Sequence, residues 1–568
     1  MKIQKILIIF TITFFLTSIS AQTNIDKKID RYLSAIEAFG FSGSIIVSKG
    51  DEVILKKGYG LSNREKRIKY NYETIQSCGS ITKQFTAAAI LLLESQGKLS
   101  VNDKIDKYFE DVPQDKADIT IHQLLTHTAG MPGGIGNDEE PIDKNDYMNK
   151  IFIEDIQFKP GTDYSYSNAG YTLLGIIIEK VSEKNYETFL RKELFIPADM
   201  KMTGYLQPDW ASNSLAEGYK KGKQWGKVYK NGWIEDGPGW HLRANGGIHT
   251  NVEDMYKWFS NTLRNNVILD SQIVNRWTNP YIKEGYGNSD YAYGWVIEDS
   301  NWGKMITHDG SNSIFAATFV WLPEKDFFFY LHGNNASMPA YKFRNDIISA
   351  AFDNDFLMPP LVEVYSEAKP SSAKHLEGKY QLKNGSIEIT SDDIILEAKL
   401  KGQKVINILN DLSEDNELKI ARINTQTLKI LKRLKEGRED AFEGITSEKT
   451  DAVNTSRNFL NRIKQIGNLK ELHLIGTFEN APGSNFADLG AYTTFVYAEF
   501  EYWNQYWNFI WTEDEKYLYN YSGPWPSLIL IPTNEGKFTA VQSVAPWKTI
   551  KLQFEKDCLL IGELEVCK

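Results

Sequence analysis

Apolar positions first fall into a helical rhythm at residues 25–38, where Ile25, Ile29, Tyr32, Leu33 and Ile36 recur at three- and four-residue intervals. The runs Gly43-Ser44-Ile45-Ile46-Val47-Ser48 and Val53-Ile54-Leu55 then read as a hairpin turning at Lys49-Gly50-Asp51. A long amphipathic helix starts at Ser80 and runs through Phe85, Ile90 and Leu93. The middle of the chain reads as helix and loop down to Trp258 and Leu263. Strand patterns return at Ile314–Leu322 and Phe327–His332, joined by the turn Pro323-Glu324-Lys325-Asp326, and a last helical pattern covers Tyr341–Phe352. Strands at both ends with helices between predict one α/β domain whose sheet is assembled from sequence-distant pieces.

Pro359-Pro360 and the polar stretch through Pro370 mark a boundary. The predicted organisation is a first domain over 22–358, a linker over 359–372, a small β-rich domain over 373–445 and an aromatic-rich α+β or β domain over 446–568. The third contains short β-type runs such as Gly385–Ile395. The last opens on a helix-like piece, Ala452–Ile466, and continues through Tyr492–Tyr502, Tyr506–Thr512 and Tyr517–Tyr521. Trp503, Trp507 and Trp511 in it are either strand core or a sugar-binding platform, and core is the commoner fate of such residues.

Composition narrows the class. A chain of 568 residues with 42% apolar and 24% charged residues is a multi-domain globular protein. Its first residues are read separately: the basic start Met1–Lys5, the apolar stretch Ile6–Ile19 and the small residues Ser18, Ser20 and Ala21 form a signal peptide over 1–21. That apolar stretch is short against the roughly 20 residues a bilayer span needs. The expectation is export, to the periplasm or beyond, with cleavage near Ala21 and no stable membrane anchor. A net charge of −10 argues against nucleic acid as a partner. Of three cysteines, Cys558 and Cys567 are open to pairing in an oxidising compartment, and Cys78 reads as a buried small hydrophobe. Neither H-E-x-x-H nor C-x-x-C occurs, and His122 and His127 are badly spaced for one helical face, so no metal and no cofactor are expected.

The chemistry gathers at the head of the Ser80 helix. Ser80-Ile81-Thr82-Lys83 places a hydroxyl and an amine at i and i+3, about 5–6 Å apart at Cβ on one face. A serine needs such a base to become a nucleophile near neutral pH, and a helix start adds free N–H groups and partial positive charge. The same spacing in Ser366–Lys369 and Ser371–Lys374 falls in the polar linker and reads as accident. Downstream, Tyr166-Ser167-Asn168 lies between the turn Pro160-Gly161 and an apolar helix. A tyrosine beside an ammonium can lose its proton, so Tyr166 and Lys83 are candidates to share the base role. Then His308-Asp309-Gly310-Ser311 precedes the strand at Ile314. An edge strand there would offer the Ser311 N–H, with that of Ser80, as an oxyanion hole, and Gly310 would let substrate approach backbone. His127 with Thr126 and Thr128 reads as loop scaffold. Trp225, Trp233 and Trp240 are either cleft lining or packing.

Ser80-Ile81-Thr82-Lys83, Leu124-Leu125-Thr126-His127-Thr128-Ala129-Gly130, Tyr166-Ser167-Asn168, Gly246-Gly247-Ile248 and His308-Asp309-Gly310 occur in that order. Over roughly 25–355 the chain thereby resembles the serine hydrolases related to class C β-lactamases and penicillin-binding proteins. The resemblance implies an α+β fold, an antiparallel sheet flanked by helices with an all-helical lobe and the site between them. It implies Ser80 as acylated nucleophile, Lys83 and Tyr166 as its base partners, Asn168 orienting Lys83 and a substrate amide, and the Ser80 and Ser311 N–H groups as oxyanion hole. It departs from the β-lactamase pattern where Lys-Thr-Gly would stand: His308-Asp309-Gly310 offers a titratable imidazole in place of a fixed cation. That weakens a requirement for a free substrate carboxylate and points to an esterase or a D-amino-acid-directed peptidase or amidase, acting on a small molecule or a peptide of cell-wall type. A penicillin-binding DD-peptidase, a β-lactamase, or a catalytically weak binding protein on the same scaffold are the alternatives; oligomeric state does not follow.

Overall fold

The computed structural model describes residues 24–568 apart from 212–213, 221, 229–231, 285–287, 313, 363–374, 383–384, 392–395, 408–413, 449, 481–488, 502–503, 523–526, 535–536, 543–548, 556 and 562–563. The expected signal peptide, both linker copies of the serine–lysine spacing and Trp503 lie outside the described residues. The chain divides after Asp353 into two compact units.

In the first unit, helix α1 (24–37) buries Ile29, Tyr32, Leu33 and Ile36, as its spacing requires. Eight strands follow in one sheet: β1 (Gly43–Lys49), β2 (Glu52–Tyr59), β3 (Ile282–Lys283), β4 (Ser289–Tyr291), β5 (Val296–Ser300), β6 (Gly303–Ser311), β7 (Ala316–Leu322) and β8 (Phe327–Gly333). Their order in space is β3-β4-β5-β6-β7-β8-β1-β2. The N-terminal hairpin thus closes onto the last strand, with Ile45 opposite Leu331 and Val47 opposite Phe329. Every pairing is antiparallel, which gives the α+β arrangement. β7 and β8 are almost wholly buried, which explains why they read as continuous apolar runs and not as alternations.

The helical lobe is built on α2 (Thr82–Ser95) and α3 (Asn168–Ser182), which share one core. Ala87, Ala88 and Ala89 are fully enclosed on α2, and a Cβ on Gly175 of α3 would lie 2.4 Å from Ala244 Cβ. Small residues let this layer close tightly, and so the head of each helix can reach the same point. The helix α4 (Arg344–Phe352) ends the unit, and Tyr32 donates its hydroxyl to Asp346 Oδ2 there at 2.6 Å, tying α1 to α4.

The second unit contains a closed barrel of β9 (Gly378–Leu382), β10 (Gly385–Ser391), β11 (Leu396–Lys401), β16 (Ser527–Asn534), β17 (Lys537–Gln542), β18 (Thr549–Glu555), β19 (Cys558–Ile561) and β20 (Leu564–Cys567). Between β11 and β16 the chain inserts helices α5 (Glu414–Lys435) and α6 (Ala452–Ile466) and a four-stranded sheet, β12 (Leu469–Glu479), β13 (Tyr492–Phe500), β14 (Asn504–Trp511) and β15 (Tyr517–Ser522). Residues 373–445 and 446–568, read as two successive domains, therefore share one barrel, because β11 pairs with β16 across the insertion. The stretch read as β-rich also holds α5, whose Ile420, Ile423, Ile430, Leu431 and Leu434 form a buried helical stripe. Trp507 and Trp511 are fully buried in the insertion's core, so they serve as packing and not as a platform. Cys558 and Cys567 face one another across β19 and β20 as a disulfide.

Candidate active site

Ser80 sits in a short 3-10 turn, Gly79–Ile81, that runs straight into α2. Gly79 has φ 54°, a left-handed value that glycine adopts without strain. It is required for space as well: a Cβ there would lie 2.5 Å from Ser311 N. One turn further, Lys83 is fully enclosed and its Nζ lies 3.1 Å from Ser80 Oγ. The same Nζ donates to Asn168 Oδ1 at 2.7 Å and to the Asn245 carbonyl at 2.9 Å. Burial pushes the Lys83 pKa well below that of an ordinary lysine. A neutral amine has two protons and one lone pair. The two carbonyl-type acceptors take the protons, so the lone pair is left for the Ser80 O–H, which is the geometry of a general base.

Asn168 is placed by the head of α3. Ser167 caps that helix by accepting from Gly170 N at 3.0 Å and donates to the Pro132 carbonyl at 2.7 Å, and the Asn168 N–H donates to the Gly133 carbonyl at 2.7 Å. Tyr166 comes against Lys83 through its ring, whose centre is 4.8 Å from Nζ.

The opposite wall is the end of β6. This strand is interior to the sheet and not at its edge. Its pairing with β5 stops at Thr307, while pairing with β7 continues to Ser311. Residues 308–311 therefore form a local edge, and that edge meets the Ser80 turn. A Cβ on Gly310 would lie 1.9 Å from the Cys78 carbonyl oxygen and 3.1 Å from Ser80 N, so only glycine fits. The Ser80 and Ser311 amides are thus brought to one spot, where an oxyanion would form.

His308 is enclosed with both nitrogens engaged: Nδ1 contacts the Asp309 carbonyl at 2.7 Å and Nε2 the Tyr291 hydroxyl at 3.1 Å. Burial, reinforced by Lys83, pushes its pKa down to about 3. At neutral pH it is an uncharged acceptor of the Tyr291 proton, and it supplies no cation for a substrate carboxylate.

All seven site residues read from the sequence fall in this one region of the first unit. Two contributors were not anticipated. Asn245 acts through its backbone carbonyl, which carries no side-chain signature, although it directly precedes the Gly246-Gly247-Ile248 block. Tyr291 is fixed only by strand register. Of the three tryptophans in the 225–240 stretch, Trp240 is buried against the Arg243 guanidinium, 4.6 Å from its ring centre, and is packing.

A family model described as Beta-lactamase matches residues 30–351, and the chain belongs to that family of serine hydrolases. It is similar to Protein flp of Staphylococcus aureus (strain MW2), 30% identical over 322 residues that cover 54% of this chain and 62% of that one. The chain thus spans under two thirds of that relative's length. Among solved structures, the octameric penicillin-binding protein homologue from Pyrococcus abyssi matches in fold with TM-score 0.50 at 18% identity, over 94% of this chain and 97% of that one. The β-lactamase/D-alanine carboxypeptidase from Pseudomonas syringae gives 0.50 at 16% identity over 58% and 99%.

Proposed function

We propose that the protein is an exported hydrolase that cleaves ester or amide bonds through an acyl-enzyme on Ser80, in substrates that need not carry a free carboxylate. The observation that carries the chemistry is the Lys83 amine, enclosed, held by two acceptors and in contact with Ser80 Oγ. Lys83 takes the Ser80 proton as Oγ attacks the acyl carbon, and the Ser80 and Ser311 amides receive the oxyanion. The proton then passes to the leaving oxygen or nitrogen. Water, deprotonated by the same amine, releases the acid and regenerates Ser80. The substrate preference rests on His308: an uncharged imidazole there favours esters and D-amino-acid amides or peptides over substrates recognised by a carboxylate. Export rests on the sequence of residues 1–21.

The test is one plate comparing the mature wild type with Ser80→Ala on a p-nitrophenyl short-chain ester, a D-alanyl anilide and a chromogenic cephalosporin. Ser80-dependent hydrolysis of the ester or the anilide is expected. Turnover of the cephalosporin alone would overturn the preference, and no Ser80-dependent turnover would favour a binding role.

A further inference from the structure

His127 stands outside the proton path just described, yet it bears two costs in one residue. Its φ is +58°, in the left-handed region that a side chain with a Cβ rarely adopts. Its imidazole is enclosed, and Nε2 has no hydrogen-bond partner among the described residues. Buried polar atoms are normally satisfied, and backbone strain persists where surrounding structure imposes it, most often at functional sites.

What His127 does in return is local and specific. Its Nδ1 accepts from the Ser167 N–H at 3.0 Å, and its own carbonyl accepts from the Ser165 N–H at 3.0 Å. Both amides flanking Tyr166 are therefore held by one residue. Between those two anchors the Tyr166 ring lies against the imidazole, centroids 4.3 Å apart. Because Nδ1 accepts, the ring proton resides on the unpartnered Nε2, so the imidazole is neutral. Burial, with Lys83 and His308 nearby, holds its pKa well below the ordinary value, in keeping with that state. The left-handed backbone lets carbonyl and Nδ1 face the same segment.

We infer that His127 is a positioning residue: a two-point clamp that sets Tyr166 and Asn168 against Lys83. The inference rests on the assignment of Ser80 and Lys83 above and goes beyond a loop scaffold, since it makes turnover depend on one acceptor atom. Displacement of a catalytic group by about 1 Å costs on the order of 10²-fold in rate.

Two substitutions separate the acceptor from the ring. His127→Asn keeps an acceptor near the Nδ1 position and tolerates the left-handed backbone, but removes the ring. His127→Phe keeps the ring and removes the acceptor. With the substrate that the wild type hydrolyses in the three-substrate plate, His127→Phe is expected to lose about 10²-fold in kcat with KM nearly unchanged. His127→Asn is expected to recover most of that loss. His127→Ala, which also lacks the acceptor, takes the place of His127→Phe if circular dichroism shows the latter unfolded. Acceptor-free variants as active as wild type, or His127→Asn as damaged as they are, would overturn the inference while leaving the function reading intact. Turnover that survives Ser80→Ala would remove both.

Discussion

The two walls of the site each present a buried basic side chain, and burial disfavours the charged form of both: Lys83 at the head of α2 and His308 near the end of β6. They differ in what remains uncommitted. Lys83 Nζ donates to Asn168 Oδ1 and to the Asn245 carbonyl, so that in its neutral form the lone pair is left for the Ser80 hydroxyl 3.1 Å away. His308 has one nitrogen on the Asp309 carbonyl and the other on the Tyr291 hydroxyl, with nothing left to offer. Burial alone therefore does not make a catalytic base; the partner set decides. In the proposed mechanism the helix wall does the chemistry, and the strand wall supplies backbone and a neutral surface.

The comparison breaks most severely at the helix wall. Ser80→Ala is expected to abolish turnover, and Lys83→Ala to cut kcat/KM by roughly 10²–10⁴. Near-normal steady-state rates in Lys83→Ala would remove its base role. At the strand wall, Gly310→Ala drives a methyl into the Cys78 carbonyl and spreads the two amides. A loss of roughly 10²–10³ in kcat is expected. An unchanged kcat would show that Ser311 N is not an oxyanion donor.

The pH dependence sharpens the same contrast. Activity needs the Lys83 amine, so kcat/KM should rise with pH as Lys83 deprotonates, with a midpoint well below an ordinary lysine. His308 is neutral throughout that range and should add no inflection near 6.5. A step there that vanishes in His308→Gln would contradict its neutral state. Stability should follow the histidines instead. His249, His308 and His332 are held at about 4, 3 and 3, below the unfolded value, so the unfolded chain binds more protons between those values and 6.5. Stability is thus fully present above pH 6.5 and lost as pH falls, by up to about 1.4 kcal/mol per pH unit per histidine. Urea midpoints at pH 7 and 5 measure this, and equal midpoints would refute it. The smallest effect is on preference: His308→Lys should shift turnover toward carboxylate-bearing substrates, and an unchanged profile would undo the reading of that position.

The same contrast explains what was legible in the sequence. The helix wall was written in it, because i, i+3 spacing fixes Ser80 and Lys83 on one face whatever surrounds them. The strand wall was visible only as His308-Asp309-Gly310. That β6 is interior but locally unpaired, and that both His308 nitrogens are occupied, depends on registers set by Val296, Tyr291 and Phe319, which have no local signature. In the second unit the same limit recurs. Ala452–Ile466 reads as a helix-like piece and forms α6 over those residues, whereas the closure of the barrel across its insertion rests on pairing of Leu396 with Leu530.

The central claim is that Ser80 is acylated with Lys83 as its base. Mass spectrometry of the protein quenched during turnover of a slow ester tests it most directly. An acyl adduct is expected on the peptide containing Ser80, absent in Ser80→Ala and formed far more slowly in Lys83→Ala. Turnover without that adduct, or an adduct on another residue, would contradict it.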